Sequence, residues 1–272
     1  MSHLIIYTDL DATLIEHTTQ DFTPALPMLK ELNRKAIPLI LNSSRTVPEL
    51  LHLRKEMDNR HPFGAENGGA VCTPVAYFSG PQVALDHEIK IDYLGLNYKA
   101  ILEALQELKD LHDFSYIGTN DFSVPNLAEE TNMSLEMAIK AKSRVCSEAL
   151  LWLDSKESMI HFEGQLAERN LRLIKGGRFY YVISKRADKG GAVSWINFNF
   201  AEAHPSDSFF TVGIGDSLND LPLLKSVDLP VVVKPPRGEA LNLAHPKAIY
   251  TEQSGPLGWV EGVEKVLERL KL

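Results

Sequence analysis

Short apolar runs of strand length constrain the fold of this chain more than any other feature: Leu4 to Tyr7, Ile37 to Leu41, Phe209 to Ile214 and Leu229 to Val233. A run of this length without polar alternation suits a strand buried on both faces, which needs helices above and below a parallel sheet. Helical spacing fills the intervals. Pro24 to Ala36 carries Leu26, Leu29 and Leu32 on one face, with proline suited to the first turn. Val47 to Met57, a segment from Asp188, the stretch through Leu223 and Leu224, and Gly258 to Leu270 read likewise. Strand and helix alternating in this way predict right-handed crossovers and an α/β fold.

The middle of the chain breaks the alternation. Strands are expected at Val83 to Ile91, Phe114 to Ile117 and Ala149 to Leu153, with helices at Tyr98 to Leu111, Ser134 to Lys142 and Ser158 to Arg169. Leu171 to Ile174 and Arg178 to Ile183, joined across Lys175-Gly176-Gly177, read as a glycine-turn hairpin. Residues 83–184 are therefore expected to form a smaller α+β unit inserted into a core made of 1–82 and 185–272.

Two of the apolar runs end on carboxylates. Asp9 and Asp11 follow the first, and Gly215-Asp216-Ser217-Leu218-Asn219-Asp220 follows the late one. Open α/β sheets carry their chemistry at the carboxyl ends of their strands. Carboxylates held close together need a cation or a shared proton between them. An aspartate after a strand also serves as a turn former or helix cap, so each motif gains force only from the other. Together they suit phosphoryl transfer, with Asp9 as nucleophile and Asp11 as the acid that protonates the leaving alkoxide and then deprotonates water. Magnesium would be held by Asp9, the backbone carbonyl of Asp11 and Asp216. Ser43, just after the second strand, can donate to a phosphate oxygen, and Lys189 at a helix start supplies a balancing cation. A capping serine and a surface lysine are the ordinary alternatives for these two.

The chain has 272 residues and a net charge of −8, which argues against a nucleic-acid surface or an anionic membrane as partner and leaves a small anionic ligand open. No apolar stretch approaches membrane-spanning length, and Met1-Ser2-His3 lacks the pattern of a signal peptide, so a cytoplasmic protein is expected. Cys72 and Cys146, far apart and without metal-type spacing, are expected to be free thiols.

Asp9-Leu10-Asp11-Ala12-Thr13, Ser43, Lys189 and Gly215 to Asp220 resemble the four ordered motifs of the haloacid dehalogenase (HAD) superfamily of phosphohydrolases. The resemblance implies a HAD-like Rossmannoid parallel-sheet core with an inserted α+β cap of the Cof type. Within that superfamily, Glu66-Asn67-Gly68-Gly69, Arg144-x-x-Ser147-Glu148, Gly176 to Tyr180 and Gly255 to Trp259 resemble the mannosyl-3-phosphoglycerate phosphatases. This implies Mg²⁺-dependent hydrolysis of a small phosphorylated sugar, mannosyl-3-phosphoglycerate, through an aspartyl-phosphate. Arg144 and Arg178 would grip the glycerate carboxylate, since arginine presents paired donors. Asn67 would contact substrate or shape its turn, and Asn219 and Asp220 would order Lys189 and the metal waters. A glucosyl-phosphoglycerate or sucrose-phosphate phosphatase, a sugar phosphomutase and a non-catalytic sugar-phosphate sensor are the alternatives. Ala12 departs from the glycine common at its position; its backbone is expected to avoid glycine-only conformations and activity to survive.

Overall fold

The computed structural model describes residues 3–79, 88–238 and 241–272. The first apolar run forms β1 (His3–Thr8), and proline-started α1 (Leu26–Arg34) leads to β2 (Leu39–Asn42). Next comes α2 (Val47–Glu56), whose N-terminus is closed by a reciprocal capping box between Thr46 and Glu49. Then come β3 (Phe63–Ala65), β4 (Ala70–Pro74) and β5 (Ile89–Tyr93). The middle holds α3 (Tyr98–Leu111), β6 (Tyr116–Gly118), α4 (Val124–Thr131), α5 (Leu135–Lys142) and β7 (Ser147–Trp152). It continues with α6 (Lys156–Glu168), β8 (Leu171–Lys175) and β9 (Tyr180–Ser184). The alternating pattern returns in α7 (Lys189–Ala203), β10 (Phe209–Gly215), α8 (Leu221–Lys225), β11 (Leu229–Lys234), β12 (Ile249–Ser254) and α9 (Gly255–Leu270).

Eight strands form one sheet in the order β12-β11-β10-β1-β2-β3-β4-β5, parallel from β12 through β3 and antiparallel beyond it. Side chains alternate across it. Leu4 and Ile6 join Leu29, Leu50 and Trp259 on one face, while Ile5 and Tyr7 join Val193, Ile196 and Leu223 on the other. Both faces are dry, as the apolar runs require. Register pairs Thr8 with Ile214 and with Leu41, so β1, β10 and β2 end side by side. That alignment sets the position of every carboxylate discussed below.

Strands β6, β7, β9 and β8 form a second, antiparallel sheet with its own apolar cluster, in which Ile101, Leu105, Phe162, Leu166 and Val182 meet. The β8–β9 hairpin is present, with Leu171 opposite Ser184. The first strand expected in the inserted unit is placed differently. Its described part, Ile89–Tyr93, pairs with β4 on the large sheet, where Ile89 and Ile91 pack against the main core; the expected residues 83–87 lie outside the described ones. Helix α4 answers no sequence expectation. It begins at a Ser123 side-chain cap and ends on left-handed Asn132. Cys72 and Cys146 are buried and unbridged. No helix among the described residues is long and apolar enough to cross a membrane.

Candidate active site

Asp9 leaves the end of β1 with its amide bonded to Ile214 O at 2.9 Å, which locks it to β10. Behind it, Trp259 Nε1 donates to Thr8 Oγ1 (3.0 Å) and Thr8 Oγ1 to the Asp9 carbonyl (2.7 Å). An indole on α9 thus fixes the Asp9 backbone. Asp216 follows β10, and Thr13 Oγ1 donates to its Oδ1 at 3.1 Å. Asp9, Asp216 and Asp220 bring carboxylate oxygens within 4.8 Å of one another, and all three are buried.

Lys189 stands among them. Its ammonium, 1% exposed, lies 2.5 Å from Asp9 Oδ1 and 2.6 Å from Asp220 Oδ1. Asp188 caps α7 through Gly191 N (2.7 Å), and Asn42 Nδ2 holds the Lys189 carbonyl at 2.8 Å. Burial opposes the charge on the ammonium, but Asp220 and Asp9 outweigh it and raise its pKa. Burial and the Asp220 charge raise the Asp9 carboxyl well above the ordinary carboxylate range, with Lys189 opposing. The same two causes push Asp216 up to about 7. A site that disfavours its own carboxylates this much attracts a hard cation.

The donor set fits such an ion. Asp220 is already occupied, since its Oδ2 accepts from the Asp216 and Ser217 amides and the Ser217 hydroxyl. Asp9 and Asp216 each use only Oδ1 in described side-chain bonds. The Asp11 carbonyl accepts no hydrogen bond among the described residues. Oxygen-only donors from two adjacent strand ends match magnesium better than a thiolate-seeking or imidazole-seeking metal.

Asp11 is held apart from this cluster. Arg45 grips its carboxylate through Nε (3.1 Å) and Nη2, and Nη2 also reaches Gln20 Oε1. Burial alone would raise the Asp11 carboxyl; the Arg45 charge and hydrogen bond lower it overall. Asp11 is therefore ionised as it stands. Sequence reasoning gave Arg45 no role, although a guanidinium two residues past Ser43 is a natural counter-charge for a crowded acidic loop. The expectation for Ala12 is also corrected: its φ is +63°, in the left-handed region, because the chain turns there so that its amide reaches Ile15 O.

Ser43, fully buried beyond β2, binds Gly64 O through its amide and accepts Asn67 N on its carbonyl. Asn67 sits left-handed at φ +58° in the turn after β3. Its Oδ1 faces Asn219 Nδ2 at 3.5 Å, and its buried Nδ2 has no partner among the described residues. Arg144 lies over the Tyr181 ring at 5.3 Å and donates to Ser147 Oγ at 2.8 Å, leaving a buried Nε without a partner among the described residues. Arg178 is not brought to this group. Its guanidinium binds the Glu130 carbonyl and carboxylate on α4. Tyr181, on β9 beyond the hairpin turn, meets Arg144 instead, and a Cβ on Gly176 would come 2.5 Å from its ring.

The family model for haloacid dehalogenase-like hydrolases matches residues 6–255. The chain belongs to that family. Two relatives, from Persephonella marina and Methanococcoides burtonii, are each 34% identical to it and are named glucosyl-3-phosphoglycerate/mannosyl-3-phosphoglycerate phosphatase. The first alignment covers 98% of both chains and the second 95% of both. The chain is thus a phosphoric monoester hydrolase. A crystal structure of a haloacid dehalogenase-like hydrolase from Bacteroides thetaiotaomicron shares the fold, with a TM-score of 0.66 at 17% identity, covering 99% of this chain and all of that one.

Proposed function

We propose that this hydrolase is a magnesium-dependent phosphatase that releases phosphate from mannosyl-3-phosphoglycerate through an aspartyl-phosphate on Asp9. The glucosyl ester is a second substrate reading, favoured by the double name of both relatives. One observation carries the mechanism: the Asp9 carboxylate is pinned by a buried lysine beside Asp216, with one oxygen left free. Magnesium, held by Asp9, the Asp11 carbonyl and Asp216, would supply charge neutralisation at the phosphoryl oxygens. Lys189 shares that task, with the Ser43 hydroxyl and Asn67 Nδ2 as hydrogen-bond donors.

The free Asp9 oxygen attacks phosphorus and the ester P–O bond breaks, so the leaving alkoxide needs a proton. Asp11 supplies it after turning away from Arg45, whose charge otherwise keeps it ionised, and taking up a proton from solvent as substrate binds. In the second half, ionised Asp11 takes a proton from water; the water oxygen displaces Asp9 from phosphorus and phosphate departs. Residues 83–184, apart from β5, would act as the lid that excludes bulk water and reads the rest of the substrate. Arg144, partly buried with a spare donor, is the better candidate for the glycerate carboxylate, while Arg178 has its guanidinium committed to Glu130.

Phosphate release from a panel of phosphorylated glycosides, with and without Mg²⁺, tests the reading. Turnover should be highest with the mannosyl and glucosyl phosphoglycerates, depend on the metal and disappear in Asp9→Asn. Wild-type rates in that variant would end the nucleophile assignment. Preference for sucrose phosphate, or transfer of the phosphoryl group to sugar hydroxyls in place of free phosphate, would move the chain to another branch of the family.

A further inference from the structure

The turn between β3 and β4 is built unusually. Glu66, Asn67 and Gly68 have φ of +50°, +58° and +79°, three left-handed residues in succession. The glycine adopts this without cost and an asparagine visits it readily, whereas Glu66 costs on the order of 1–2 kcal/mol. Such strain persists where surrounding contacts hold it in place. Glycine itself is required at 68, since a Cβ there would collide with the Asp188 carbonyl at the cap of α7.

The turn is held by backbone bonds, Glu66 N to Arg45 O (2.9 Å) and Asn67 N to Ser43 O (2.8 Å), and one carboxylate ties it to the segment that leads into β7. Glu66 is fully buried on the large sheet, yet its side chain is spent on the small one. Oε1 accepts Val145 N at 2.7 Å, while Oε2 accepts Cys146 N at 3.1 Å and Ser147 Oγ at 2.6 Å. A hydroxyl has a single proton to give. Because Ser147 gives it to Glu66, the hydroxyl presents a lone pair to Arg144, whose Nη1 donates to it at 2.8 Å. The carboxylate thereby settles which way the guanidinium is held. Tyr181 supports the other side of the same guanidinium, and the arginine's Nε is buried and unpaired among the described residues.

We infer that Glu66 is a positioning residue for substrate recognition: acting through Ser147, it aims Arg144 so that a buried donor stays free for the carboxylate of a bound phosphoglycerate ester. The inference rests on the reading of Arg144 given above. It makes the seating of the lid on the core and the readiness of the carboxylate grip one event. A clamp that merely joined the two sheets would need the backbone bonds to Val145 and Cys146 but not the chain through Ser147 to Arg144.

Ser147→Ala removes that chain and keeps both backbone bonds. KM and kcat would be measured on mannosyl-3-phosphoglycerate and on p-nitrophenyl phosphate for the wild type, Ser147→Ala, Arg144→Ala and the double variant, with Mg²⁺ present. Ser147→Ala should raise KM for the phosphoglycerate about tenfold with kcat within about twofold, and leave the small ester unaffected. Arg144→Ala should raise KM at least as much, and the double variant should be no worse than Arg144→Ala alone. Glu66→Gln, which retains an acceptor without the charge, should show the same KM selectivity. If Ser147→Ala matched the wild type, or weakened both substrates equally, while Arg144→Ala remained selective, the relay would be refuted and the grip retained. If Arg144→Ala spared the phosphoglycerate, the grip would fail and the relay with it.

Discussion

Ala12 occupies a left-handed backbone position between the acid Asp11 and Thr13, which holds Asp216. A methyl there is tolerated at a cost of about 1 kcal/mol relative to glycine, and a β-branched side chain is far worse. Ala12→Gly should therefore range from neutral to about 1 kcal/mol stabilising, the relief being partly offset by a more flexible unfolded chain and a lost buried methyl. Ala12→Val should cost about 2 kcal/mol or more and depress turnover by misplacing Asp11. Urea unfolding of the two variants separates strain from packing, and an unharmed valine variant would contradict the strained turn. Asp216 offers a second test. Its carboxyl is raised to about 7 by burial and Asp220, so the folded protein holds that proton more tightly than the unfolded chain. Stability from this group is present at acid pH and lost as pH rises from about 4 to about 7. Mg²⁺ competes with the proton, so the rise in Tm on adding Mg²⁺ should be small at pH 5.5 and larger at pH 8. A shift of equal size at both values would show that Asp216 does not meet the ion.

At the scale of elements, β3 is preceded by a half-buried histidine that ties fold stability to pH. His61 Nδ1 lies 2.7 Å from the Tyr77 hydroxyl, and burial together with Arg54 lowers its pKa to about 4. The unfolded chain takes a proton near 6.5 that the folded one refuses until about 4. Stability should therefore be full above about 6.5 and fall between about 6.5 and 4, by up to about 3 kcal/mol. His61→Gln should flatten that part of the pH–stability profile in urea titrations; an unchanged slope would assign it to other groups. The legibility of the sequence followed the same division between regular and irregular elements. Asp9, Asp216 and Ser43 could be placed because a strand's end and its parallel register locate the next residue with little freedom. Lys189 was legible through the cap motif that begins its helix. Arg45 was not, because its pairing with Asp11 joins two loops 34 residues apart, whose conformations no periodicity encodes. Tyr181 and Arg178 are close neighbours on a hairpin, and alternation alone does not say which face meets the core. Strand β5 went to the wrong sheet in the sequence reading because its half-apolar pattern suits either edge.

The whole molecule is held as two sheets with separate apolar clusters, joined by polar contacts and by Val145 and Cys146, which pack into the core of the large sheet. Glu66 binds residues 145–147, Thr46 Oγ1 donates to Lys140 O at 2.8 Å, and Arg172 Nη2 donates to Ala187 O at 2.7 Å. The buried cluster of Asp9, Asp216, Asp220 and Lys189 sits on the large sheet, whereas Arg144 and Tyr181 lie in the segment that holds the small one. Such a division would let the unit around the small sheet loosen without dismantling Asp9 and its lysine. Phe162 probes this, as a fully buried ring on α6 packed against Phe114, Tyr116 and Trp152 and far in sequence from the acidic motifs. Phe162→Ala should cost about 3–5 kcal/mol, the usual toll of truncating a buried ring. Hydrogen exchange should then accelerate in residues 98–184 and stay near wild type in β1 and β10. Under those conditions phosphoglycerate turnover should fall well below that of p-nitrophenyl phosphate, because in the proposed mechanism the small ester draws only on groups of the large sheet. Uniform loss of protection across both sheets would mean that the two clusters unfold as one cooperative unit, and the lid could not then move independently of the site it covers.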